Sequence, residues 1–192
     1  MAHPKESTPS ARDRIVACAS TLFYQKGINN VGINEIIACS DIARMTLYHH
    51  FKSKNDIVSA VLGQRMEQRQ TGLLTAMQNG RTASAKIMAA FDYLADIINA
   101  KDFRGCAFIN ATVELADPGH PGAALAAAHK RWMAMRFEQT ARDAHWREPA
   151  LFGLQCQLLW DGAVAAAQVM RSDEPVGAAR LAAATLIAAA QP

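Results

Sequence analysis

Apolar residues recur at helical spacing along most of the chain, and that recurrence settles the fold class before anything else. Ile15, Ala19, Leu22 and Phe23 stand at i, i+4, i+7 and i+8, and Ile87, Phe91, Leu94 and Ile98 repeat the stripe farther on. Residues so spaced share one face of a 3.6-residue helix and need another apolar face to cover them. Strand formers are scarce and alanine is plentiful, so the expected fold is all-α.

Punctuation divides the pattern into about nine helices. The first starts near Ala11, carries Arg12, Arg14 and Lys26 on its other faces, and meets Gly27, a residue suited to the left-handed end of a helix. Gly32 and Glu35 suit the start of a short second helix, the glutamate being placed to reach back to a free amide; Ile33, Ile36 and Ile37 form its apolar face. A break at Ser40 to Ile42 leads into Ala43 to Phe51, where Leu47 and Phe51 pair at i, i+4 and Arg44, Met45, Thr46, Tyr48, His49 and His50 cover the outside.

Ser53 and Asp56 spell a capping box for a long helix to about Gln78, which Asn79-Gly80 stops before Thr82 starts the next. Further helices are expected over Gly105 to Ala116, Ala123 to about His145, Pro149 to Met170, and an alanine-rich stretch ending at Ala190. Breaks fall at Asp117 to Gly122 and Ser172 to Pro175. Residues 1–10 read as a flexible tail, 11–54 as a three-helix unit, and 55–192 as a helical bundle built onto it.

Several classes of protein are disfavoured. The N-terminus lacks the apolar core of a secretory signal, and no stretch reaches the roughly 18 to 20 apolar residues of a membrane span. A cytoplasmic location without membrane contact is expected. Cys18, Cys39, Cys106 and Cys156 are scattered singly, a spacing that predicts thiols and offers no metal site. The histidines are dispersed, with His49 and His50 expected on different sides of one helix, and no nucleophile motif or phosphate-binding glycine loop is present. The chain is therefore expected to be no enzyme and to hold no cofactor.

The charge is informative by its placement. Residues 1–54 carry seven Lys/Arg against four Asp/Glu, which accounts for the whole net charge of +3, and the rest of the chain is neutral. A basic first quarter fits a polyanionic partner. Three short helices with a tight turn between the second and third describe a helix-turn-helix, whose last helix enters the major groove of DNA.

The run from Ile33 to Val58 resembles the DNA-binding domain of the TetR family of transcriptional regulators. The segment Thr46-Leu47-Tyr48-His49-His50-Phe51 followed by Ser53-Lys54 is the most specific part, and Ala19, Phe23 and Gly27 fall where that family has them. The resemblance spans about residues 11–62. It implies that Arg44 and Met45 meet base edges, that Thr46, Tyr48 and His49 bond phosphates, and that Lys54 meets the backbone from the start of the fourth helix. The sequence departs from the family at Asp41, where a glycine is usual, at Ala43, where a serine-like cap is usual, and at Met45, where a small residue is usual.

For the second half the resemblance implies a small-molecule effector held between helices and a homodimer formed by the last two. The segment Arg104 to Asp117 resembles one found in a subset of these regulators, where it forms the sixth helix and the pocket floor. Phe91, Leu94, Phe108, Trp132, Phe137 and Trp160 are candidate pocket walls. Asn110, Glu114, Gln157 and Asp161 are candidate polar anchors. The function implied is a repressor that a small molecule releases from a palindromic operator. Cys106, near Arg104 and Lys101, is either a buried structural thiol or a sensor of oxidants and electrophiles, and the latter gives an alternative function.

Overall fold

Helix starts follow the available partners for free backbone amides. In the computed structural model, which describes residues 9–192, the Ser10 hydroxyl accepts from the Asp13 amide at 3.2 Å and opens α1 (Ala11–Lys26). Most of the expected tail, residues 1–8, lies outside the described residues. Next come α2 (Ile33–Ser40), α3 (Arg44–His50) and α4 (Lys54–Gln78). Both bonds of the capping box form at α4: the Ser53 amide donates to Asp56 at 2.9 Å, and the Asp56 amide donates to the Ser53 hydroxyl at 3.2 Å. The remaining helices are α5 (Ala83–Ile98), α6 (Ala107–Leu115), α7 (Pro121–Asp143), α8 (Pro149–Met170) and α9 (Glu174–Ala190). No strand occurs among the described residues.

Details at the ends depart from expectation for identifiable reasons. Gly27 has a positive φ of 90°, but its ψ of 151° lies outside the left-handed helical well. Glu35 makes no cap bond to α2 and instead pairs with Lys26 on α1. Helix α7 begins at Pro121, ahead of the expected Ala123, because the His120 imidazole accepts from the Gly122 amide at 2.9 Å. Helix α9 takes Pro175 into its first turn, where a missing amide removes no helical bond.

Two apolar cores result. In the first, Ile15 and Phe23 of α1, Ile36 of α2 and Leu47 of α3 close around Ile57 and Val61 of α4. The second gathers Leu73 of α4, Phe91 of α5, Phe137 of α7, Phe152 and Trp160 of α8, and the buried alanines of α9. Packing crosses the boundary expected near residue 54, since α4 gives its first half to one core and its second half to the other. Helix α6 adds Phe108 and Ala111 to the first core, although it follows α5 in the chain. In the bundle α7 and α8 approach closely at Gly153, where a Cβ would meet the Ala134 carbonyl oxygen at 2.5 Å.

Packing also corrects the cysteine assignment. Cys18 of α1 and Cys39 of α2 are joined as a disulfide with Cα atoms 5.9 Å apart, where their spacing of 21 residues gives no hint of a pair. Only the contact of α1 with α2 brings them together. Cys106 and Cys156 are free. Burial pushes the Cys156 thiol up to about 12, which keeps it protonated.

Candidate functional site

The turn between α2 and α3 is set by Asp41, whose φ of 49° and ψ of 57° are left-handed. Aspartate tolerates this conformation better than most residues, so the family's usual glycine is replaced without losing the turn. Ala43 occupies the N-cap of α3 with extended backbone and no side-chain bond to the helix. Anchoring comes from beneath, through Leu47, which is completely buried.

With Leu47 inward, the opposite face of α3 is free. Met45 is 78% exposed and Tyr48 39% exposed, and together with Thr46 and His49 they line an open concavity on the outside of the head. Arg44 is exposed and its guanidinium bonds Asn34 of α2. The His49 and His50 rings meet edge to face with centroids 5.2 Å apart. Lys54, like Thr46, is less exposed than the other candidates for DNA contact. It is half-buried, its ammonium lies 5.9 Å from the centroid of the Phe23 ring, and desolvation lowers its pKa while the Glu114 carboxylate opposes that shift.

Glu114, expected as a pocket anchor, lies at the junction with the head. The Asn29 amide donates to its carboxylate at 3.1 Å, and the Asn29 side chain donates to its carbonyl oxygen at 2.8 Å. Gly27 leaves room for this contact, because a Cβ there would lie 2.9 Å from the carboxylate. Asn110 donates to the Arg104 carbonyl oxygen at 3.0 Å and lines a small crevice beside Glu114. Helix α6 is thus attached to the loop that follows α1.

A second joint stands at the start of α6. The Tyr24 hydroxyl accepts from the Arg104 amide at 2.7 Å and donates to the Gly105 carbonyl oxygen at 3.0 Å. Arg65 of α4 donates to the Ser20 carbonyl oxygen at 3.0 Å and stacks over the Tyr24 ring at 4.4 Å.

Behind that joint lies a cavity of about 50 Å³ enclosed by α1, α4, α5, α7, α8 and the start of α6. Three of the candidates from the sequence line it: Cys106, Phe108 and Trp160. Phe91, Leu94 and Phe137 are completely buried in the second core instead, and Trp132 packs at its margin under Arg136. Gln157 and Asp161 form a polar chain beside the cavity, in which Gln157 donates to Asp161 at 2.8 Å and Asp161 pairs with Lys130. The Lys130 ammonium lies 3.6 Å from the Cys106 sulfur.

Sequence reading missed the cavity's basic residues: Arg65 and Arg69 on α4, and His129 and Lys130 on α7. The spacing of Arg65, Arg69 and Leu73 at i, i+4 and i+8 was a signal for a shared face. Nothing in the sequence said that His129 would meet it. That imidazole stacks on Phe108 with centroids 4.1 Å apart, and its pKa falls to about 4 through burial first, then through the charges of Lys130 and Arg69.

A three-helix head with its last helix anchored by one apolar residue and exposed on its outer face defines a helix-turn-helix DNA-binding domain. Residues 15–61 match the family described as "Bacterial regulatory proteins, tetR family". It is 31% identical over 97 residues to the transposon Tn10 TetC protein of Escherichia coli, covering 49% of each chain. It is 24% identical to the HTH-type transcriptional repressor DhaR of Mycobacterium sp. (strain GP1), over 54% of this chain and 52% of that one. The chain thus spans about half the length of these curated relatives. A solved TetR-family transcriptional regulator from Streptomyces coelicolor is 29% identical, with 95% of this chain and 96% of that one superposed at a TM-score of 0.88. No described helix is long and apolar enough to cross a membrane.

Proposed function

We propose that the chain is a dimeric, cytoplasmic transcriptional regulator, a repressor that leaves a palindromic operator when a small molecule enters the cavity. The observation that carries this reading is the double attachment of α6, which walls the cavity with Phe108 and holds the head through Glu114. Arg44 and Met45 would read bases, and Thr46, Tyr48, His49 and Lys54 would meet phosphates. Two such heads must lie about one DNA turn apart to bind both half-sites. A ligand that parts the cavity walls moves α6 and changes that spacing, by no more than its preference between the two conformations. No catalytic step and no cofactor is required.

Selection of bound DNA from random oligonucleotides should return a palindrome, and Tyr48→Ala with Lys54→Ala should weaken its binding at least tenfold in a gel-shift titration. Undiminished affinity would remove the reading. A second reading is favoured by the contact between Lys130 and Cys106 at the cavity wall. Modification of that thiol by an oxidant or electrophile would then be the signal. It requires a Cys106→Ser variant to stay on DNA under conditions that release the parent protein, whereas a ligand sensor should be indifferent to the change.

A further inference from the structure

The cavity walls have one sign of charge. Four ionisable basic side chains line it, Arg65, Arg69, His129 and Lys130, and among the described residues no aspartate or glutamate does. Two of the four are engaged: Lys130 pairs with Asp161 from outside the lining, and Arg65 bonds the Ser20 carbonyl oxygen and covers Tyr24. Arg69 makes no ion pair among the described residues. Its charge bears on both Arg65 and His129, and one nearby carboxylate, Asp102, acts on Arg65 in the opposite sense.

Beside Arg69 stands a polar atom with no partner. His129 is 4% exposed, it lines the cavity, and its Nδ1 is buried without a hydrogen bond. A buried polar atom left unpaired is destabilising, and a ligand oxygen that accepts from the Nδ1–H tautomer relieves it. The rest of the lining is mostly apolar and includes the rings of Phe103, Phe108 and Trp160. A guanidinium suits a carboxylate through paired N–H bonds, and flat rings suit a flat body.

We propose that the effector is a small organic anion of the aromatic carboxylate class, its carboxylate held by Arg69 and His129 and its ring against Phe108 and Trp160. This rests on the cavity being the effector site of the proposed regulator. The small volume fits the mechanism, because even a single ring must part the walls, and the wall carrying Phe108 is the helix attached to the head.

Isothermal titration of the full chain with benzoate and with benzamide tests the class, since the two differ chiefly in charge. Benzoate should bind at least tenfold more tightly, and Arg69→Gln should bring the two probes to within about twofold. Where that variant fails to fold by circular dichroism, His129→Phe, which keeps the stacking on Phe108, should weaken benzoate severalfold. Arg136→Gln, outside the cavity, should change nothing. Equal binding of the two probes, no binding of either, or full benzoate affinity in folded Arg69→Gln or His129→Phe overturns the proposal. A chain that binds benzoate but selects no DNA overturns the regulator reading alone, and one that selects DNA and prefers the neutral probe overturns the anion alone.

Discussion

At Ala43 the chain places a methyl group where helix starts commonly carry a hydroxyl or carboxylate. The backbone there is already extended, and nothing from the side chain reaches the free amides of α3. Ala43→Ser should therefore raise the stability of the protein by about 1 kcal/mol, read as a higher midpoint in urea unfolding. At the buried end, Leu47→Ala should remove about 2 to 5 kcal/mol, because this side chain alone ties α3 to the first core with no surface left exposed. Circular dichroism melts measure that loss directly. His129 gives the pH dependence. Its pKa is about 4 when folded against an ordinary value of 6.5, so between those values the unfolded chain binds the extra proton. Stability should rise with pH across that window, and His129→Phe should flatten this part of the profile. A slope unchanged by the substitution would show that another group is responsible.

Among the elements, α6 joins parts of the molecule that the sequence separates. Its carboxylate at Glu114 meets the loop after α1, its Phe108 faces the cavity, and the loop before it is bonded to Tyr24. Glu114→Ala should leave operator binding within severalfold of the parent while raising the effector concentration needed for release. Gel shifts at graded effector concentration separate the two effects. Gly27→Ala should lose more than the roughly 1 kcal/mol of an ordinary substitution, since it places a side chain at positive φ and drives a Cβ toward Glu114. The spacing Asn-Gly, the Ser53/Asp56 box and the apolar stripes made the helices legible with ends correct to a few residues. The partners of Glu114 and the company of His129 were illegible, because each depends on residues from other helices that no local rule places beside it.

For the whole molecule, the unfinished surface is on α8 and α9. Leu158 is 63% and Leu181 70% exposed, and between the two helices Gly162, Ala166, Ala178 and Ala182 line an apolar groove of about 830 Å³. A second copy laying its own α8 and α9 against this groove would cover it in the proposed two-fold dimer. Leu158→Glu should convert the protein to a monomer by light scattering. It should also lower operator affinity steeply, because one head alone gives up half of the contacts.

The sequence by itself determined the helices, their order, and the identity of the reading head, because helical periodicity and capping are local and the segment from Thr46 to Lys54 is distinctive. It also placed the net positive charge in that head. Tertiary structure alone decided that Cys18 meets Cys39, that Phe91 and Phe137 belong to the core while His129 faces the cavity, and that Glu114 serves the joint to the head. The physical reason is common to all of these. A helix fixes which residues share a face, whereas which face meets which is settled by how the helices of the described residues bury their apolar surface together.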